Sequence, residues 1–302
     1  MVSVSGIRRS GVCVRFRSIP TVDRMQPILA SVATAVALAV TAACGRAPAD
    51  AARAPGAGNA ARIVSLSPAL TRTVCMLGGK SAVVGRTPWC EAPDAVVVGT
   101  LEDRNLEAIA ALRPTLVLRQ SSVADPALET VAASSGATVH TWHFDRVEDV
   151  RDGLDPLARL LAEGGIPGAD VAARDLVARH LQAITVPVRS ISPVLFLFSV
   201  DPPMAFGSGT YVDDLWRAMG GVNAIKKAGY PAMTAEDVIR LAPSAVVVIG
   251  RGPLPAWLGS ASPVQVQLDA PDLLEPSARM LVDGPVSLHR VDDSIAAARS
   301  GG

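Results

Sequence analysis

The sequence predicts an α/β fold of two lobes, each with a mainly parallel β-sheet flanked by helices, joined by one long rigid α-helix. Short β-branched runs alternate with helical patterns from Arg62 onward, which indicates parallel strands with right-handed crossovers. The stretch RNLEAIAALRPTLVL, which begins at Arg104, has a near copy, TAEDVIRLAPSAVVVIG, which begins at Thr234. Each stretch reads as a short helix, a proline and a buried strand, so we expect two similar lobes. With 302 residues and 49% hydrophobic content, the chain can bury a substantial core.

The first 61 residues differ in composition from the rest of the chain. Basic residues precede the uncharged run PILASVATAVALAVTAAC, which ends at Cys44 and is followed by an Ala/Gly/Pro-rich stretch. This order is typical of an export signal, which we assign to residues 1–44, followed by a disordered linker over 45–61. The tetrad TAAC resembles a lipoprotein cleavage box in which Cys44 would be acylated; cleavage without a lipid and a retained membrane anchor are the alternatives. All three place the remaining chain in the periplasm or at the outer face of the cytoplasmic membrane.

The first lobe is predicted over residues 62–164. Its strands are read in RIVSLS, AVVGRT, AVVVGT, PTLVL and ATVHTWHF. Its helices are read after Ser67-Pro68, where the proline fits the first helical turn, and in RNLEAIAAL, DPALETVAASSG and RVEDVRDGLDPLARLLAEGG. Alternation of this kind predicts a sheet covered by helices on both faces.

A helix over residues 165–187 is predicted to connect the lobes, because apolar residues recur at helical spacing in PGADVAARDLVARHLQAITVPV. The second lobe, over residues 188–302, continues with PVLFLFSV as a strand, TYVDDLWRAMGG and TAEDVIRLAP as helices, and SAVVVIG as a strand. After residue 252 the stretch PLPAWLGSASP and the tail show no clear pattern.

Several classes of function are disfavoured by the composition and by missing motifs. The 28 basic and 28 acidic side chains balance, so a nucleic-acid partner is not expected. The sequence holds no Cys-x-x-Cys, P-loop or dinucleotide fingerprint, and Ser208 in GSG lacks a nucleophile elbow. His140 and His143 point to opposite faces of a predicted strand end, which disfavours a shared metal. We therefore expect no enzyme activity, no cofactor and no resident metal. Cys75 and Cys90 fit either a disulfide or free thiols.

Five stretches in order and register carry a family resemblance: RIVSLSPALTRTVCMLG, VVGRTPWCEAP, VGTLEDRNLEAIAALRPTLVL, GSGTYVDDLWRAMGGVNA and TAEDVIRLAPSAVVVI. Together they make the chain resemble the substrate-binding proteins of ABC importers for cobalamin, siderophores and haem, the class III periplasmic binding proteins. The cobalamin-binding members look closest because of DPPMAFGSG and the loop TPWCEAP. The resemblance implies a monomeric receptor that binds a metal chelate between its lobes and delivers it to an ABC permease dimer with its ATPase. Cobalamin ranks first as ligand, with a ferric siderophore or haem next.

The same resemblance gives a role to the repeated helix. In this family one glutamate on each lobe docks on arginines of the permease, and the matching positions here are Glu107 in RNLEAI and Glu236 in TAEDVI. Asp237, beside Glu236, is the rival candidate. Without the resemblance, acidic residues in a first helical turn need only stabilise the helix dipole.

Candidate cleft residues follow from loop position, because ligands of open α/β sheets bind beyond the carboxyl ends of the strands. They come from the strand ends and from loops 101–105, 119–122 and 201–204, and they are Ser67, Pro68, Trp89, Arg119, Trp142, Pro203 and Tyr230. Trp89 and Tyr230 match positions where family members place ligand-stacking aromatics. Arg119 would pair with a carboxylate or phosphate of the ligand, unless it is a solvated surface charge.

Two functions of other classes stay open. One is a sensory or partner-recognition lipoprotein in which the fold recognises another protein. The other is a metal-cluster carrier or enzyme on the same fold, for which Cys90, His140 and His143 are the candidates.

Overall fold

The structure, a computed structural model, describes residues 60–121 and 123–300. The predicted export signal 1–44 with Cys44, most of the predicted linker, and Ser122 therefore lie outside the described residues. Within the part of the chain that is described, no helix combines the length and apolar character needed to cross a membrane.

The first lobe is built on a parallel sheet. Its elements are β1 (Ile63–Ser65), α1 (Pro68–Met76), a 3₁₀ turn (Lys80–Ala82), β2 (Val83–Arg86), β3 (Val96–Val97), α2 (Leu106–Ala111), β4 (Leu116–Gln120), α3 (Pro126–Ser134), β5 (Thr138–Trp142) and α4 (Val147–Glu163). The strand order is β3-β2-β1-β4-β5, and every neighbouring pair is parallel. Because all strands run the same way, their carboxyl ends meet at one edge of the sheet. That edge carries the loops of the cleft described below.

The second lobe repeats this plan with one reversal. Its elements are α5 (Ala169–Ala183), which leads into it, β6 (Pro193–Val200), β7 (Pro203–Ala205), α6 (Tyr211–Ala218), β8 (Val222–Asn223), α7 (Ala235–Leu241), β9 (Ala245–Ile249), α8 (Leu258–Ala261), β10 (Gln265–Leu268), a 3₁₀ turn (Pro271–Leu273) and α9 (Ala278–Ser300). The order is β10-β9-β6-β7, with β8 beside the start of β6. Only β7, among the described strands, runs antiparallel to its neighbour, because it follows β6 through a tight turn. The two sheets and their helices confirm the predicted α/β fold class.

Helix α5 lies within the range 165–187 that the sequence predicts for the connecting helix. Just before it, the amide of Ala61 at the base of the first sheet donates to the carbonyl of Gly164 at 2.8 Å. Just after it, the amide of Val188 donates to the carbonyl of Met219 in the second lobe at 2.8 Å. Helix α5 therefore leads from the first lobe to the second, and it packs against both α4 and α9.

Helix α9 explains why the tail gave no clear sequence pattern. Pro285 lies inside it and lacks an amide hydrogen, so the carbonyl of Leu281, four residues earlier, has no helical donor. The Nδ1 of His180 on α5 lies 2.9 Å from that carbonyl and supplies the missing hydrogen bond. His180 is buried, and burial lowers the pKa of its imidazole. A proline that looks like a helix breaker is thus accommodated by a tertiary contact.

Candidate ligand-binding cleft

Two cavities lie at the carboxyl ends of the strands, one between the lobes and one on the first lobe, and both have Gln120, the last residue of β4, in their walls. The first, of about 390 Å³, is lined by Gln120, Phe144, Asp145, Phe198, Met204, Phe206, Tyr211, Tyr230, Leu274 and Pro276. The second, of about 300 Å³, is lined by Leu66, Ser67, Pro68, Thr87, Trp89, Leu101, Glu102 and Gln120. We call the first the interlobe cavity and the second the first-lobe cavity. Their position follows the rule for ligand sites in open α/β sheets.

The interlobe cavity has an aromatic wall that comes from the second lobe, formed by Phe198, Phe206, Tyr211 and Tyr230. The ring of Phe206 lies 4.9 Å from Phe198, 5.4 Å from Tyr211 and 5.9 Å from Tyr230 between centroids. The rings are tilted or edge to face, which is the arrangement that aromatic quadrupoles favour. With Phe144 from the first lobe, both tyrosines and three of the five phenylalanines of the chain line this cavity. The wall is therefore a preformed apolar surface.

The two tyrosines of this wall stay protonated at neutral pH. Burial raises the pKa of Tyr230 to about 12. Burial and the neighbouring Tyr230 also raise the pKa of Tyr211, whose hydroxyl donates to the carbonyl of Leu273 at 3.1 Å. Both phenols are thus neutral donors at neutral pH. The Tyr211 hydroxyl in addition fixes the segment that carries Leu274 and Pro276, which also line the cavity.

The first-lobe cavity is lined by residues of the first lobe, among them a helix-capping serine and an exposed tryptophan. The hydroxyl of Ser67 caps α1 by accepting from the amide of Leu70 at 3.3 Å, and it donates to the Oε1 of Gln120 at 3.1 Å. Trp89, on the loop after β2, has 64% of its surface exposed. An indole held this far in solvent has lost little water on folding and still has apolar area to bury against a ligand.

Four of the seven predicted cleft residues lie in these walls. Ser67, Pro68 and Trp89 come together in the first-lobe cavity, and Tyr230 lies in the interlobe cavity. Their role as ligand contacts stays a prediction.

Arg119, Trp142 and Pro203 do not line either of these two cavities, and their role as ligand contacts also stays a prediction. Arg119 is 4% exposed; its guanidinium donates to the carbonyl of Val123 and lies 3.6 Å from the carboxylate of Asp125, since a buried charge needs a partner. Trp142 stacks on His140 at 5.6 Å between centroids and packs against α4. Pro203 is buried in β7, where side chains alternate between faces, and the next residue, Met204, reaches the cavity instead.

Most residues of the interlobe cavity were not predicted from the sequence. Gln120 and Met204 fall inside predicted loops, but Phe144, Asp145, Phe198, Phe206 and Tyr211 were not singled out. A usable signal was present in FLFSV and AFGSGTY, where aromatic residues stand at a strand end and just before a helix. Nothing in the sequence shows that these two places meet.

Metal-binding groups are not gathered in the described residues, since no cluster of three or more His, Cys, Asp or Glu side chains is placed to hold an ion there. Cys75 and Cys90 are free thiols, and the Sγ of Cys90 lies 3.1 Å from the hydroxyl of Thr87. The first turns of α2 and α7 carry Glu107 and Glu236, both exposed. Neither carboxylate is in an ion pair with a residue that the structure describes.

Asp237, the rival of Glu236, is already engaged in its own helix. It accepts from the amide of Thr234 at 3.1 Å and from its hydroxyl at 2.8 Å, and it pairs with Arg240. These hydrogen bonds, first that from the Thr234 backbone, lower the pKa of the Asp237 carboxyl. The capping box leaves Glu236 as the more available carboxylate.

Two α/β lobes around an interlobe cleft, with a helix leading from one to the other, define a two-lobed solute-binding protein. The chain belongs to the periplasmic binding protein family, whose model matches residues 63–271. A cobalamin-binding protein of Halobacterium salinarum is 28% identical over 198 residues, which are 62% of this chain and 53% of that protein. The chain thus spans about half the length of the curated relatives it matches.

Solved structures share the fold. The periplasmic vitamin B12 binding protein BtuF of Vibrio cholerae is 20% identical with a TM-score of 0.63, and the match covers 80% of this chain and 98% of that one. The periplasmic heme binding protein HutB of Vibrio cholerae is 20% identical with a TM-score of 0.65, and the match covers 76% of this chain and 98% of that one. At this identity the likeness concerns the fold alone.

Proposed function

We propose that this protein is the extracytoplasmic receptor of an ABC importer, and that it binds a bulky metal chelate in the interlobe cleft and delivers it to the permease. The observation that carries the proposal is the pair of adjoining cavities, one with an aromatic wall and one with the exposed Trp89, joined at Gln120. Each cavity has a volume in the range of small-molecule sites. A ligand larger than either cavity would fill both and contact both lobes.

Cobalamin is the first candidate ligand. The named relative from Halobacterium salinarum and one of the solved structures bind it, and the aromatic wall offers a flat apolar surface for a macrocycle. A ferric siderophore or haem comes next, since structural relatives that bind heme have the same fold. In each case the metal would arrive with the chelate as cargo.

Delivery would use the two exposed glutamates. Glu107 and Glu236 occupy equivalent first turns of α2 and α7, one on each lobe, and so present one carboxylate per lobe to a two-fold symmetric partner. We expect the receptor to be monomeric and to act in the periplasm or at the outer face of the cytoplasmic membrane, tethered there if Cys44 is acylated.

Calorimetric titration of the purified protein with cyanocobalamin, haem and a ferric hydroxamate siderophore tests the ligand. We expect micromolar or tighter binding to one of them, and weaker binding after Trp89→Ala. Ile191→Ala is the matched control, because Ile191 is also highly exposed but lines neither cavity. Loss of affinity in both variants, or in neither, would contradict this cleft as the site.

Delivery is tested in vesicles that contain the cognate permease and ATPase. Glu107→Lys and Glu236→Lys should each lower ligand uptake at least about tenfold while ligand affinity stays unchanged, because a repulsive charge replaces an attractive one at the rim. Glu129→Lys, which reverses another exposed first-turn glutamate, on α3, is the control. Equal uptake in all three variants would argue against these docking positions.

A further inference from the structure

Arg72 of α1 is a buried cation that is surrounded by carboxylates from both lobes. Its Nη2 donates to the Oε1 of Glu91 at 2.8 Å, on the first lobe. Its Nη1 lies 3.4 Å from the Oδ1 of Asp272 and 3.7 Å from the Oε2 of Glu275, both after the last strand of the second lobe. Only 10% of its side chain is exposed, whereas Glu91 is 59% and Glu275 45% exposed, so water screens these two pairs more than the pair with Asp272, which is 17% exposed.

The partners of Arg72 stand next to residues that line the cleft. Glu91 follows Trp89 by two residues, and Trp89 lies in the first-lobe cavity. Glu275 stands between Leu274 and Pro276, and both of these line the interlobe cavity. The guanidinium of Arg72 therefore contacts residues in or beside two wall segments that come from different lobes.

Further contacts support this junction between α1 and the segment that follows β10. The hydroxyl of Thr73, the neighbour of Arg72, accepts from the amide of Ala278 at the start of α9 at 3.1 Å. Arg279 lies 3.6 Å from Asp272 and 2.9 Å from Asp283, which keeps the Asp272 carboxylate oriented between two cations. The cluster contains Arg72, Glu91, Asp272, Glu275, Arg279 and Asp283.

The hydrogen bonds of Arg72 are incomplete. Within the described residues, its Nε and Nη1 are buried and have no hydrogen-bond partner, and the Nη1 to carboxylate distances of 3.4 and 3.7 Å exceed those of a charge-assisted hydrogen bond. A small approach of the segment 272–275 toward α1 would shorten both. The junction is thus partly formed on the second-lobe side and completely formed on the Glu91 side.

We propose that Arg72 is a positioning residue for the cleft, which holds the Trp89 loop and the Leu274–Pro276 segment in a fixed relation and strengthens its second-lobe contacts when ligand draws the lobes together. This rests on the proposed ligand site. The proposal predicts that a substitution on one lobe raises hydrogen exchange in the wall segment of the other lobe. A purely local structural role would not produce this effect.

Hydrogen exchange of the free protein tests the junction. Arg72→Met should raise exchange about fivefold in both 87–95 and 271–277, and the milder Asp272→Asn/Glu275→Gln variant should raise it about threefold in 87–95, on the opposite lobe. The double variant keeps the size of both side chains, so it answers the question even if Arg72→Met folds poorly. Arg174→Met, which breaks the exposed Arg174–Asp170 pair on α5, is the control and should change neither segment. Unchanged exchange in 87–95 for the double variant would overturn the proposal.

Ligand dissociation separates this inference from the proposed function. With the chelate that the wild type binds, Arg72→Met should raise the dissociation rate about tenfold and change the association rate much less. Combining it with Asp272→Asn/Glu275→Gln should add nothing, because the same contacts are already lost. Fully additive effects would overturn the junction. Failure of the wild type to bind any of the three chelates would instead overturn the proposed function, and the exchange measurement would still decide the role of Arg72.

Discussion

The two sides of the cleft are built in opposite ways. The second-lobe wall is aromatic, and Phe206 at its centre is 2% exposed and belongs to the hydrophobic core. The first-lobe cavity is lined by a helix cap, a strand-end glutamine and a solvent-exposed tryptophan on a loop. The first surface is fixed by packing, and the second by hydrogen bonds of Ser67, Gln120 and Thr87.

This difference shows how stability and binding are divided within one cleft. Core aromatics hold the shape of the second-lobe wall whether or not a ligand is present, because their contacts are made on folding. Trp89 buries little of its side chain on folding, so it can gain most of its contact area from the ligand. Substitutions should therefore affect stability on one side and affinity on the other.

Phe206→Ala should have the largest effect and should act on stability. Removing a fully buried ring that touches three other aromatic rings should lower the free energy of unfolding by about 3–5 kcal/mol. Urea denaturation followed by circular dichroism measures it. A loss below about 1 kcal/mol would mean that the aromatic wall is loosely packed, and the contrast between the two sides would fail.

Trp89→Ala should act on affinity alone. We expect the free energy of unfolding to stay within about 0.5 kcal/mol of the wild type, since the side chain is exposed. Binding of the chelate should weaken by about 2 kcal/mol, roughly thirtyfold in Kd. The two quantities are compared by denaturation and by calorimetry on the same preparation. A stability loss larger than the affinity loss would place Trp89 in the fold and not in the site.

His180→Gln should flatten the pH dependence of stability. Burial lowers the pKa of His180 in the folded state below that of the unfolded chain, so the unfolded chain binds more protons and stability falls as pH drops below about 6.5. One histidine accounts for at most about 1.4 kcal/mol per pH unit. Denaturation at pH 7 and pH 5 should show a smaller loss in the variant, and Gln can still donate to the Leu281 carbonyl. An equal loss in both proteins would assign the effect to other groups, such as His140, whose pKa burial also lowers.

Ser67→Ala should give the smallest effect, on the first-lobe side of the cleft. It removes the cap of α1 and the hydrogen bond to Gln120, and should lower the free energy of unfolding by about 1 kcal/mol. Ser134→Ala, which changes an exposed serine at the end of α3, is the control for denaturation. A loss as large as that of Phe206→Ala would remove the contrast between the two walls.

Local patterns were sufficient for much of the fold. The stretches RNLEAIAALRPTLVL and TAEDVIRLAPSAVVVIG become α2 with β4 and α7 with β9, because helix caps, proline and buried apolar runs act over a few residues. The reversed strand β7 and the long helix α9 were not predicted. The first needs a turn after β6, and the second needs His180 to satisfy the carbonyl that Pro285 leaves free.

The sequence by itself determined the α/β class, the repeat of the lobe plan, the loop position of Trp89 and Tyr230, and the family resemblance, because these depend on neighbouring residues and on periodicity. Only the tertiary structure decided which strand ends meet. It grouped Phe144, Phe198, Phe206 and the two tyrosines around one cavity, paired Arg119 with Asp125 and Trp142 with His140, and placed Arg72 between carboxylates of both lobes. The physical reason is that packing and charge pairing act between residues that are far apart in the chain, and for such residues the separation in sequence does not give the distance in space.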